Sequence, residues 1–593
     1  MLLFKPVSPF RLRPILQTRS RTTMKVTSQF SLLLSLLPAF TRAQNCPLHG
    51  PAYPAVADLA ASTAIQTAKN NLDKLLAEAL ASGQLDNSTS TFSIAVFSTD
   101  TNNLIYEYHH GAADLNITLG SDTIYRVGSI SKLVTVYTIL SKLSDKYWDE
   151  PVTKFVPELS RLAPPASLLD GVDWSEVTLG ALAGQMSGIG RDYALGDLSA
   201  TLPGQTVLPG LPPLEDSELV RCGSNGYRPC TRSESFAKLL IKPAVSATYQ
   251  SAIYSNVGFQ LLAYAVENIT GQPFSSLVES QLVKPLNLTR TFLSQPANDT
   301  NAVVVDGYDL DIGDEGPAGA YYLSLSDLST VGRSILRSTI LPQRTTRKWL
   351  HPNSHTSSLL VSVGKPWEIF RQKVATTTQA SNNKTRVADL YTKSGGIQAY
   401  IAHMALSPDH GIGISILSAG GEGGTAGFFF LQALLYKTWL EAAESAAREA
   451  AGTNFGGVYE SSGPSKGHKD NSTVEFGLDE SGEPGLLLTK LVNNGTDMLA
   501  SFGAALGLPE GMKLGAWLYP TVRDGKRVAF RAVFGALGVE STSEEACLSW
   551  GSVDQLRYGG HALDSFVFEV DRAGKAVEVR VEGLKKSFKK RRP

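Results

Sequence analysis

One helical run divides this chain. From Phe428 to Ala451 apolar residues recur at helical spacing for roughly six turns, and Gly452 reads as the stop. Before it, helix-like and strand-like stretches alternate. After it come short strand-like segments, such as Gly485–Lys490, Arg527–Phe534 and Ser565–Val570, separated by Gly, Asn, Asp and Pro. A single continuous core does not fit that contrast. The spacing predicts a mixed unit over residues 44–452 and a small all-β domain over 453–593. At ~150 residues per domain, 593 residues leave room for two to four.

Charge divides the chain a second way. The 54 Lys and Arg nearly balance 55 Asp and Glu, but seven of the basic residues (Lys5, Arg11, Arg13, Arg19, Arg21, Lys25 and Arg42) lie before position 44, where no acidic residue occurs. The remainder holds 47 basic residues against 55 acidic ones, a net of −8. Such a body lacks the positive field that gathers phosphates, so nucleic acid is excluded as a partner. With 42% hydrophobic residues against 18% charged, a disordered chain is excluded too.

Residues 1–43 read as a leader. Phe30–Phe40 is an apolar run of eleven residues, too short for stable membrane insertion as a helix. Lys25 precedes it and Thr41-Arg42-Ala43, a small-residue cleavage pattern, follows. The start is Met1 or Met24. A secretory signal peptide and a mitochondrial presequence both fit the Arg-rich, acid-free leader. Eight N-x-[ST] sequons favour secretion, at Asn87, Asn116, Asn268, Asn287, Asn298, Asn383, Asn471 and Asn494. So does an even cysteine count. Cys222 and Cys230 enclose the short loop GSNGYRP and read as a pair, leaving Cys46 and Cys547 to tie the two ends of the mature chain. Four unpaired thiols are the alternative. The basic tail Lys585–Arg592 reads as a solvated end.

Helices are expected within 44–90, from Ser129 to about Leu143, and from about Asn256 to Thr270. Strands are expected at Phe92–Ser98, Leu104–His110, Ile397–Leu406 and Ile412–Ser418, and residues 190–248 read as loop-rich. Several chemistries fail on these elements. His351 and His355 are spaced as a helical pair, but Pro352 and Asn353 lie between them and no Glu accompanies them, so no metal is assigned. Gly421–Ala426 fits G-x-G-x-x-A without the second half of a dinucleotide-binding unit, so no cofactor is assigned either. Gly463-Pro464-Ser465-Lys466-Gly467 fits G-x-S-x-G but lacks the strand and helix that motif needs.

The S-x-x-K pattern at Ser129-Ile130-Ser131-Lys132 does fit its context, at the start of a predicted helix. Positions i and i+3 share a helix face, so an amine can reach a hydroxyl that is a poor nucleophile unaided. Alone the pattern is weak, since it recurs at Ser235, Ser362, Ser381 and Ser587. Two further elements strengthen it. Tyr254-Ser255-Asn256 stands at a loop-to-helix junction, and Lys393-Ser394-Gly395, the one K-[ST]-G of the chain, is expected immediately before a strand.

In this order the three motifs resemble those of the serine β-lactamase and penicillin-binding-protein superfamily. The Y-x-N element is most similar to class C β-lactamases and their esterase and D-amino-peptidase relatives. Arg126–Lys132, Met186–Ile189 and Ala318-Gly319 followed by Ser324 and Asp327-Leu328 add to the likeness, which covers roughly residues 60–450. The β tail resembles the extra C-terminal domain of secreted fungal β-lactamase-like proteins. The resemblance implies an α/β (α+β) transpeptidase-like fold, an antiparallel sheet flanked by helices, with a small all-β domain appended. It implies Ser129 as nucleophile, Lys132 and Tyr254 as proton carriers, and backbone N–H groups of Ser129 and Gly396 as an oxyanion hole. Asn256, Lys393 and Ser394 would hold a small-molecule or peptide-like acyl substrate. Ser394 replaces the commoner Thr and keeps its hydroxyl. An acyltransferase and a non-catalytic binding protein on the same scaffold are the competing readings.

Overall fold

Strand β1 (Ser90–Ser98) is buried along its whole length, and its alternate residues serve different cores. Phe92, Ile94 and Val96 belong to one apolar cluster, Ala95 and Phe97 to another. A strand covered on both faces reads as a continuous apolar run, as FSIAVFS does. The structure is a computed structural model. It describes residues 47–591 except 202–209, 224–226, 297–300, 378–383, 422–423, 462–470, 539–546 and 548. The leader, Cys46, Asn298, Asn383 and all of Gly463–Gly467 therefore lie outside the described residues.

β1 and β2 (Leu104–His110) form the expected hairpin at one side of an antiparallel sheet. The order continues through β6 (Ile412–Gly420), β5 (Tyr400–Ser407), β4 (Thr385–Ile397) and β3 (Glu368–Ala375) to two short strands, Val361–Val363 and Ser354–His355. Helix α1 (Thr63–Ala81) buries Ile65, Ala68, Leu72, Leu76 and Ala79, a stripe at helical spacing, and the Ser62 hydroxyl caps it by accepting from Ile65 N at 3.3 Å. α1 packs against the long C-terminal helix of this unit on one face of the sheet. The other face carries α2 (Ser131–Leu143), α3 (Val257–Thr270) and α4 (Leu325–Arg337).

That long helix, α5 (Gly424–Phe455), runs 32 residues. Gly452 does not stop it. A Cβ at Gly452 would come within 2.7 Å of Leu478 Cδ1, so glycine makes room for a side chain of the next unit. Three residues on, Phe455 enters that unit's core, its ring 5.2 Å from Phe530 and 5.3 Å from Phe568. Buried Arg386 on β4 and Glu444 on α5 pair at 2.8 Å, with His410 Nε2 2.9 Å from the same carboxylate.

The C-terminal strands close on themselves: β7 (Gly457–Ser461), β8 (Thr473–Leu478), β9 (Leu486–Asn493), β10 (Leu514–Asp524), β11 (Arg527–Ala536), β12 (Ser565–Val570), β13 (Ala576–Val581) and β14 (Lys586–Lys590). β8 pairs with both β7 and β9, β14 with both β13 and β7, which makes a barrel and removes exposed strand edges. The basic tail is thus a strand and not a solvated end. Alternation explains the difference, for Phe588 points inward and is fully buried between the lysines. Arg448 Nη2 donates to Asp479 O at 2.5 Å, and Lys384 pairs with Glu483 at 2.8 Å, joining barrel to sheet.

Cys222 and Cys230 form a disulfide, as expected. Cys547 is also disulfide-bonded. The six described sequon residues, Asn87, Asn116, Asn268, Asn287, Asn471 and Asn494, are exposed. Among the described residues no helix is long and apolar enough to cross a membrane.

Candidate active site

Ser129 stands on a 3-10 turn, Gly128–Ile130, that feeds directly into α2. The turn is pressed against β4. A Cβ at Gly395 would lie 2.0 Å from Val127 O and 2.7 Å from Ser129 N, and one at Gly128 would lie 2.8 Å from Gly396 N. Gly128 also holds φ +50°, a left-handed conformation that glycine adopts without strain. These contacts bring the backbones of Ser129 and Gly396 to one crease. Lys393-Ser394-Gly395 lies inside β4, not ahead of a strand as its sequence context suggests, because pairing with β3 extends the strand back to Thr385.

At the second position of α2, Lys132 is entirely buried. Its Nζ donates to Ser129 Oγ at 3.1 Å, Asn256 Oδ1 at 2.6 Å and Ala318 O at 2.8 Å. Three acceptors match the three protons of an ammonium. Burial nevertheless pushes the Lys132 amine below its ordinary range; Lys393 adds to that, while Tyr254 opposes it. Asn256 stands just before α3, and its side chain caps nothing: its amide nitrogen donates to Asp192 Oδ1 at 2.7 Å, which fixes its orientation between Lys132 and Asp192.

The Ser129 hydroxyl and Lys132 both act on the Tyr254 phenol and lower it. Its ring is surrounded by cations: Arg191 Cζ at 4.7 Å from the centroid, Lys132 Nζ at 4.9 Å and Lys393 Nζ at 5.4 Å. Burial alone would raise the phenol, but Lys393 and Lys132 outweigh it and hold Tyr254 down to about 8. The loop carrying it is anchored from below, since Ser255 N donates to Gln185 Oε1 at 2.7 Å and the Ser255 hydroxyl to Gly190 O at 2.8 Å.

Lys393 Nζ pairs with the Glu368 carboxylate on neighbouring β3 and donates to Ser394 O at 2.8 Å; Glu368 Oε2 also accepts from Ser394 N at 3.0 Å. Burial would lower Lys393, but Glu368 outweighs it, so Lys393 stays charged. All of the residues predicted at the site (Ser129, Lys132, Tyr254, Asn256, Lys393, Ser394 and Gly396) meet at one cavity of about 670 Å³ or in its wall. Sequence reasoning missed Glu368, Arg191, Asp192 and Glu315. Glu315 lines the same cavity, where burial and then Asp192 push its carboxyl up to about 7 against the pull of Lys132. Geometrically the cluster can draw a proton from a serine hydroxyl while keeping positive charge beside the developing anion.

Comparison with known proteins gives the chain its relatives. The family described as Beta-lactamase matches residues 72–428, and the family described as Beta-lactamase-like-like, C-terminal domain, matches residues 447–592. A beta-lactamase-like protein of Arthroderma benhamiae is 30% identical over 91% of this chain and 95% of its own length. Probable hydrolase clz13 of Cochliobolus lunatus is 25% identical over 85% and 86%. Among solved structures, a beta-lactamase/D-alanine carboxypeptidase from Yersinia pestis aligns with a TM-score of 0.47 at 17% identity, covering 64% of this chain and all of that one. The chain belongs to the beta-lactamase family.

Proposed function

We propose that the protein is a secreted serine hydrolase that cleaves an ester, amide or lactam of a small-molecule or peptide-like substrate through an acyl-enzyme on Ser129. Tyr254, with Lys132 beside it, takes the Ser129 proton as the oxygen attacks the carbonyl carbon. Backbone N–H groups of Ser129 and Gly396 receive the oxyanion, at ~3–4 kcal/mol per donor. The same proton passes to the leaving group as the acyl bond breaks, and water then releases the acyl group. Asn256, Lys393 and Ser394 hold the substrate's amide or carboxylate. The observation carrying this reading is Lys132 Nζ 3.1 Å from Ser129 Oγ beside a phenol held near 8 by cations.

Secretion rests on the Cys222–Cys230 disulfide, the exposed sequons and the apolar leader. It follows that residues 1–43 are removed, leaving a hydrolase unit over 44–452 and a β domain over 453–593, with Cys46 as the partner of Cys547. A chromogenic cephalosporin and a p-nitrophenyl ester, each given to wild type and Ser129→Ala, test the function. Turnover of either that vanishes in Ser129→Ala supports it. Equal rates in both proteins, or none in wild type, overturn it. A slow-releasing adduct whose release an added alcohol accelerates would turn the reading to acyl transfer.

A further inference from the structure

From Ser394 a chain of polar side chains runs along one face of the sheet to α5. His403 on β5 is the register partner of Ser394, so their side chains share one face of the sheet. His403 Nδ1 stands 3.0 Å from Ser394 Oγ, and its Nε2 stands 2.5 Å from Tyr436 OH. Gln432, one turn before Tyr436 on α5, brings its amide nitrogen to 3.2 Å from Tyr436 OH and against the His403 ring, 3.1 Å from Nε2 and 3.5 Å from Nδ1. The ring is completely buried, with Phe428 edge-on at 6.0 Å.

The donor inventory sets a direction along this chain. An amide NH2 donates and cannot accept, and here it donates to Tyr436 OH. The Tyr436 oxygen, receiving from Gln432, has its own proton left to give, and Nε2 is its neighbour. Nε2 therefore receives the Tyr436 proton and is the bare nitrogen. Burial, the largest influence, pushes His403 down to about 4, so near neutral pH the ring carries one proton, and that proton is on Nδ1.

We propose that His403 is a positioning residue that donates its Nδ1–H to the Ser394 hydroxyl, leaving the Ser394 proton free to point into the cleft at a substrate carboxylate or carbonyl oxygen. With the opposite tautomer Ser394 would spend its proton on the ring and offer the substrate only lone pairs. The substrate role of Ser394 comes from the function proposed above; the tautomer does not depend on it.

Protein labelled with ¹⁵N-histidine, with His403→Asn identifying the signals, reports the tautomer by NMR with no turnover required. An Nδ1-protonated, Nε2-bare ring at pH 7, shifting when Tyr436→Phe removes the donor to Nε2, supports the proposal. An Nε2–H ring overturns it even if the hydrolase reading stands. Kinetics with the chromogenic cephalosporin, which carries a carboxylate, supply a second readout. His403→Leu should raise KM about tenfold with little change in kcat, and His403→Asn, which keeps an N–H near the place of Nδ1, should restore most of it. Placed in Ser394→Ala, His403→Leu should add nothing. An additive effect in that background would show a merely structural role and refute the assignment.

Discussion

Removing the charge of Lys393 should move the pH dependence of the reaction. Lys393 Nζ sits 5.4 Å from the Tyr254 ring centroid and is the largest influence holding the phenol near 8. At that distance a unit charge contributes about 3 kcal/mol at an effective dielectric of ~20. About 1.4 kcal/mol corresponds to one pH unit, so Lys393→Met should raise Tyr254 by about two units, to the ordinary phenol value of ~10. Because Lys393→Met alone strands the Glu368 carboxylate in the wall of the cleft, it is paired with Glu368→Gln. The assay is kcat/KM for a p-nitrophenyl ester from pH 6 to 11; an ester without a carboxylate keeps any substrate-binding role of Lys393 out of the comparison. Wild type should rise along a limb near pH 8, a value belonging to the coupled Tyr254–Lys132 pair. The double variant should rise near pH 10 whatever its plateau. A limb that stays in place would refute the claim that cations around the ring make Tyr254 a base.

Glu315 supplies a stability test. Its folded pKa, pushed up to about 7, means that ionisation above that pH costs the folded state, so its contribution is intact below about pH 4.5 and lost as pH rises through 7. Glu315→Gln should therefore raise Tm at pH 8, by the equivalent of at most about 3 kcal/mol, and leave it unchanged at pH 4; thermal melts at the two pH values decide. Gly395→Ala should lose more than about 2 kcal/mol in urea unfolding and all ester turnover, because its Cβ would stand 2.0 Å from Val127 O. Cys222→Ser with Cys230→Ser opens a loop of sequence separation 8 and should cost about 2–3 kcal/mol in the same unfolding assay. Pro229 in that loop rests on Gly313, two residues from Glu315, so ester KM should change more than kcat.

Local signals made the core of the site readable. Ser129 and Lys132 were marked by a helix start and by the two motifs that follow them in order, and Asn256 by the loop-to-helix junction at which it stands. The residues that tune those groups carried no local mark. Glu368 stands 25 residues before Lys393, and meets it only because β3 pairs with β4. Arg191 and Asp192 lie in a loop-rich stretch with no periodicity, and reach Tyr254 and Asn256 through tertiary packing. His403 is one residue in an apolar strand until its register against Ser394 is known. Two of the misread features have one origin. Gly452 and the Lys585–Arg592 tail look like a helix stop and a free end, but barrel closure requires a close approach at the first and an inward Phe588 in the second.

The central claim is a covalent bond to Ser129, and an acid-quenched reaction examined by mass spectrometry tests it most directly. Wild type mixed with the cephalosporin or the ester and quenched within seconds should gain the mass of one acyl group, mapped to the peptide containing Ser129 and absent from Ser129→Ala. An adduct on any other residue, or turnover that persists in Ser129→Ala without one, would contradict the account.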